Sequence, residues 1–249
     1  MDRFTKAIER AGRRQSRNKE FLEVEYGSSV ELSEYQLKKN KLLTYDVNNE
    51  ISDAYRLLRT RLLQRMRDNE WNILGVTSPS HGEGKSLTAI NLAIAMSMDI
   101  NQTVILIDAD LRNPSVCEDL GIVPERTLVN YLKSNDEDFR DYLVHTSMNN
   151  LRVLPAEKMT GVTSELLTSV KMKDLLNQLK SLDPCVVICD MPSALEGDDV
   201  LAFSPYLDAI LLVIEDGKTR SKDLESVAKL LERTPVIGSV LNKSQDPDL

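Results

Sequence analysis

From residue 73 onward the chain alternates two kinds of pattern. Short apolar or β-branched runs fall at 73–77, 103–107, 151–154, 186–190, 209–214 and 236–241. Between most of them, at 85–98, 163–181 and 218–233, apolar side chains return at helical spacing. Strands alternating with helices predict an α/β fold, doubly wound around a mostly parallel sheet covered on both faces. Ligands of such a sheet sit at the carboxyl ends of its strands. Ahead of the alternation, Ile51, Tyr55, Leu58 and Leu62 predict a helix over 50–67. Residues 1–45 are polar and charge-rich, with a short amphipathic helix expected at 2–14 on Phe4, Ile8 and Ala11. The expected organisation is an N-terminal basic and polar helical arm, 1–45, followed by one domain, 46–249. No internal repeat or low-complexity segment interrupts it.

Composition narrows the function classes. The 249 residues suffice for one large core. With 31 Lys and Arg against 39 Asp and Glu, the net charge of -8 argues against general nucleic-acid binding. The charge is uneven: residues 1–20 carry seven basic and three acidic side chains, a net +4, leaving -12 for the rest. No apolar run approaches the ~20 residues of a membrane span, and no secretory segment is visible, so a cytoplasmic location is expected. Of the three cysteines, Cys185 and Cys189 lie in the apolar run PCVVICD and read as buried thiols.

The candidate chemistry begins at the first strand. ILGVT is followed by SPSHGEGK and then by the helical SLTAINLAIAMSM. A strand, a glycine loop and a helix are the parts of a P-loop NTPase. Gly82 and Gly84 let backbone amides turn around an anion, and the helix starting near Lys85 adds its partial positive end. Lys85 supplies a full charge, and the Ser86 hydroxyl is placed to ligate Mg2+. Pro79 stands where the common pattern has its first glycine. The blander reading is a glycine turn that binds nothing. His81 reads as a solvent-facing loop residue. Two further apolar runs end in carboxylates: VILID leads into Asp108 and Asp110, and VVICD ends at Asp190. Carboxylates at a ligand edge are costly unless they meet a cation, which Mg2+ carrying ATP phosphates would supply. Alternatively each caps the helix that follows.

Taken as a set, Thr77-Ser78-Pro79-x-x-Gly82-Glu83-Gly84-Lys85-Ser86, Asp108-x-Asp110-x-Arg112 and Asp190-x-Pro192 resemble the Walker A, A′ and B motifs of the bacterial tyrosine kinases, the autokinases of exopolysaccharide and capsule systems. The resemblance spans roughly residues 45–242. It implies an ATP-dependent protein-tyrosine kinase or kinase-like ATPase with ATP and Mg2+ as cofactors. Nucleotide would be held by Gly82, Glu83, Gly84, Lys85, Ser86, Leu87 and Asn242, the last against adenine. Ser86 and Asp110 would hold the metal, with Asp190 in its outer shell, and Asp108 would orient or activate the attacking oxygen beside the catalytic Lys85, Asp110 and Asp190. It further implies rings built through Asp53, Arg56 and Arg59, where the family carries Glu-x-x-Arg-x-x-Arg, and a membrane polysaccharide co-polymerase as partner at the inner face of the membrane. Such i,i+3 pairs are otherwise solvated surface. The family's C-terminal tyrosine cluster has no counterpart here: the last of seven tyrosines is Tyr206, and Tyr26, Tyr35 and Tyr45 stand as alternative acceptors. A partitioning ATPase of the Min/Par type shares the sheet but carries a lysine where Ser80 stands. In Asn242-Lys243-Ser244-Gln245-Asp246 the aspartate falls one residue late for guanine recognition. A non-catalytic nucleotide-binding scaffold remains a third alternative.

Overall fold

The computed structural model describes residues 27–44, 50–99, 102–148, 150–182 and 184–244. The expected helix at 2–14, with Tyr26 and Tyr45, lies outside them. Eight strands form one sheet: β1 Ser28–Val30, β2 Ile73–Thr77, β3 Thr103–Asp108, β4 Val144–Thr146, β5 Leu151–Leu154, β6 Cys185–Asp190, β7 Ala209–Glu215 and β8 Val236–Asn242. Their order is β1-β4-β5-β3-β6-β2-β7-β8. Every pairing is parallel except β4 with β5. The doubly wound α/β expectation therefore holds.

Strand alternation builds two cores. Neighbouring residues point to opposite faces, so Ile73, Ile105, Val187 and Ile210 enter one cluster. Leu74, Leu106, Ile188 and Leu211 enter the other. The first face is covered by α5 (Leu128–Lys133), α7 (Val170–Lys180), α8 (Asp199–Phe203) and α9 (Ser221–Leu230). The second is covered by α2 (Glu50–Asp68) and α3 (Lys85–Ser97). Nearly all of α3 is buried, so this helix cannot shift without disturbing the sheet.

Two expectations change. The helix read over 163–181 is two helices, α6 (Thr163–Leu167) and α7, because Ser169 turns the chain and caps α7 by accepting from the Met172 N–H. The arm does not end at residue 45 in packing terms. Residues 28–30 add β1, and α1 (Glu34–Lys39) follows; Leu32, Leu37, Leu42 and Leu43 are all buried in the second core. Asn91 of α3 clamps this segment, accepting from Leu43 N–H and donating to the Lys41 carbonyl. Leucines spaced too irregularly for one helix face concealed the join.

A candidate phosphate site where three strands end

Strand order brings the candidate residues together. β6 lies between β3 and β2, and the register pairs Asp108 with Asp190 and Asp190 with Val76. All three strands thus end at one level, beside the loop that leaves β2. That loop is laced to the segment following β6. Thr77 Oγ1 donates to the Pro192 carbonyl at 2.6 Å, and Ala194 N–H donates to the Ser78 carbonyl at 2.8 Å. Leu195 N–H donates to the Pro79 carbonyl at 3.2 Å, and His81 N–H to Glu196 Oε1 at 2.8 Å. Pro79 contributes only a carbonyl to this ladder, so its missing N–H costs nothing. Gly84, the N-cap of α3, has φ +97°, and a Cβ there would lie 1.9 Å from Asn242 Nδ2. Only glycine satisfies both constraints.

Inside the loop one lysine faces three carboxylates. Lys85 Nζ lies 2.7 Å from Asp110 Oδ2, 3.8 Å from Asp190 Oδ1 and 3.2 Å from Ser86 Oγ. Burial alone would lower the Lys85 pKa, but Asp190, Asp110 and Asp108 outweigh it and raise it. Asp108 is fully buried; one oxygen accepts from Asp110 N–H and the other from Val116 N–H, at the start of α4 (Val116–Leu120). Burial, then the charge of Asp190, pushes Asp108 well above the carboxylate range. Burial likewise pushes Asp190 up to about 6 against the opposing pull of Lys85.

These residues fit a magnesium–nucleotide. Both Asp190 oxygens are buried and accept no hydrogen bond among the described residues. Asp110 and Asp190 gather two buried carboxylates at one ammonium, a cost that a divalent ion would offset. Among the described residues no group of three or more His, Cys, Asp or Glu is placed to hold a metal ion by itself. Mg2+ is commonly held in that sparing way, by one or two carboxylates, waters and substrate phosphates.

Other expected residues lie elsewhere than in the loop's mouth. The Glu83 carboxylate is buried and accepts from Ser80 N–H at 3.0 Å and from Thr219 Oγ1 at 2.7 Å, so its side chain shapes the loop. Asn242 Nδ2 donates to the Glu83 carbonyl at 2.8 Å. Leu87 packs at the edge of the second core. His81 is exposed, as expected. On α2, Asp53 and Arg56 pair on the surface, whereas Arg59 donates to the Ala95 carbonyl at 2.9 Å and so fastens α2 to the phosphate-loop helix. Sequence reasoning missed one network: Arg112 Nε donates to Asp199 Oδ2 at 2.6 Å and Thr163 Oγ1 at 3.1 Å, and Thr163 also donates to Asp199 Oδ1. The paired Asp198 and Asp199, ahead of an apolar helix, were its only signal.

Comparison with known proteins gives the chain a family. The AAA domain family model matches residues 72–243. The chain is 28% identical over 195 residues to the putative tyrosine-protein kinase CapB of Staphylococcus aureus, across 78% of this chain and 84% of that protein. It is 27% identical over 203 residues to the succinoglycan biosynthesis transport protein ExoP of Rhizobium meliloti, across 80% of this chain but 25% of that protein. The kinase domain of the Escherichia coli tyrosine kinase ETK superposes with a TM-score of 0.73 at 25% identity, covering 89% of this chain and 91% of that one.

Proposed function

The chain belongs to the AAA domain family, and on that premise we propose that it is a Mg-ATP-dependent protein-tyrosine kinase serving exopolysaccharide assembly. The observation that carries this reading is the convergence of Lys85, Asp108, Asp110 and Asp190 beside a glycine loop at the helix start. Phosphoryl transfer needs mainly positioning and charge stabilisation. Bound Mg2+ would neutralise the outer phosphate oxygens, with Ser86 and Asp110 as its protein ligands and Asp190 behind them. Lys85, held by Asp110 at 2.7 Å, would exchange that partner for a phosphate. Amides of Gly82 to Leu87 would line the phosphates, and Asn242 would border the base. Asp108, whose oxygens are fixed by two N–H groups, would orient or activate the attacking oxygen.

The acceptor is a tyrosine of this chain or of a partner. Among the five described tyrosines, Tyr35 is 76% exposed, while Tyr131 and Tyr142 are buried. Tyr206 is half-buried with Lys173 over its ring. The ExoP relative, four times the length of its match, supports a membrane polysaccharide co-polymerase as partner, with this chain at the inner face of the membrane. No helix among the described residues is long and apolar enough to cross one. Assembly into a ring would use the α2 surface around Asp53 and Arg56.

Purified chain given Mg2+ and γ-labelled ATP tests the reading. Label on tyrosine that disappears in Lys85→Met supports the kinase. Released phosphate with no label on this chain or on an added co-polymerase would replace it with an ATPase switch.

A further inference from the structure

The end of β8 holds a lysine that the proposed chemistry does not use. Lys243 has φ +60°, a left-handed backbone that an L side chain adopts at a cost. Its ammonium donates to the Gly82 carbonyl at 2.6 Å and pairs with Glu215 Oε2 at 3.1 Å. Beside it Asn242 Nδ2 donates to the Glu83 carbonyl at 2.8 Å. The β7–α9 turn adds a third tie: Thr219 Oγ1 donates to the Glu83 carboxylate and accepts from Glu215 N–H. Consecutive carbonyls of the phosphate loop are thus gripped from one side by Asn242, the last residue of β8, and by Lys243 after it.

A trans peptide fixes what this does. The C=O of one residue and the N–H of the next lie in one plane and point opposite ways. Holding the Gly82 and Glu83 carbonyls toward β8 therefore turns the Glu83 and Gly84 N–H groups away from it. Glycine at 82 and 84 would otherwise let these peptides rotate at little cost.

We propose that Lys243 is a positioning residue: its tether to the Gly82 carbonyl presets the loop amides for the phosphates of a nucleotide. This rests on the nucleotide reading above. Lys243 touches no phosphate in this account; it acts through the loop, and its strained backbone is kept because the side chain must start from that point. Lys218 is the natural control. It pairs with the same Glu215 oxygen at 3.0 Å and lies close to Gly82, but it holds no loop carbonyl.

Binding of a fluorescent ATP analogue with Mg2+ would be measured for wild type, Lys243→Met, Lys243→Gly, Lys243→Arg and Lys218→Met, together with melting temperatures without nucleotide. Losing one charge-assisted hydrogen bond of a preset loop should weaken binding about fivefold in Lys243→Met and Lys243→Gly. Lys243→Arg should recover most of it, and Lys218→Met should change it less than about twofold. Lys243→Gly should melt higher than Lys243→Met, because both lose the tether and glycine alone relieves the positive φ. Equal losses of binding in two variants of different stability would separate the tether from the stability of the fold. Unchanged binding in Lys243→Gly, or equal losses in Lys243→Met and Lys218→Met, would overturn the proposal. Wild type that binds no nucleotide would instead overturn the reading beneath it.

Discussion

Asp190→Asn should make the nucleotide-free protein more stable while removing its response to Mg-ATP. Asp190 ends a fully buried strand; its oxygens accept no hydrogen bond among the described residues, and Asp108 is its register partner. Burial lifts its pKa from 3.8 to about 6. At ~1.4 kcal/mol per pKa unit, ionisation at neutral pH costs the fold about 3 kcal/mol. A buried amide without partners has its own cost, so the exchange should return about 2 kcal/mol. For a domain of this size that is a rise of about 4–8 °C in melting temperature. Lys85 keeps its closer partner, Asp110 at 2.7 Å, so the variant leaves no stranded cation. The sign follows from the raised pKa. The penalty is absent where both states are protonated, grows as pH rises from about 4 to about 6, and is complete above that. Calorimetry in EDTA should therefore show the variant melting above wild type at pH 7.5, with a smaller gap at pH 5. Mg-ATP should raise the wild-type transition and leave the variant's in place. A variant that melts below wild type at pH 7.5, or a gap that widens on acidification, would refute a destabilising buried charge at this position.

Gly84→Ala should lower stability by about 1–3 kcal/mol and weaken nucleotide binding, since a Cβ meets Asn242 at 1.9 Å and φ is +97°; chemical denaturation and a binding titration would measure both. Arg112→Ala should cost about 2 kcal/mol, because buried Asp199 loses its cation while Thr163 still donates to it. Denaturation of this variant should recover toward wild type when Asp199→Asn is added. Arg56→Ala alone should disperse a ring, read as mass by light scattering, without altering melting. Arg59→Ala should lower melting as well, because it also breaks the bond to Ala95.

The fold was legible where a signal was repeated. Strands ending at Thr77, Asp108 and Asp190 each announced themselves as apolar runs with a polar stop. Three-residue β1 and β4 gave no such run, and β1 pairs with a strand 116 residues further along the chain, as Ser28 with Val144. Loop, lysine and carboxylates were visible as residue types. That Asp108 and Asp190 would be neighbours came only through the family resemblance, because strand order is set by crossovers and not by local pattern. The same limit hid the grip of β8 on the loop. Glu83, Asn242 and Lys243 could be named from the sequence, but the direction in which each side chain reaches depends on strands that meet only in the folded sheet.

The central claim is that Lys85 and the three carboxylates form a Mg-nucleotide site. A calorimetric titration of wild type and Lys85→Met with a non-hydrolysable ATP analogue, with Mg2+ and with EDTA, tests it most directly. One nucleotide per chain, dependent on Mg2+ and lost in Lys85→Met, is the predicted result. Equal binding by the two proteins, or binding indifferent to EDTA, would contradict it.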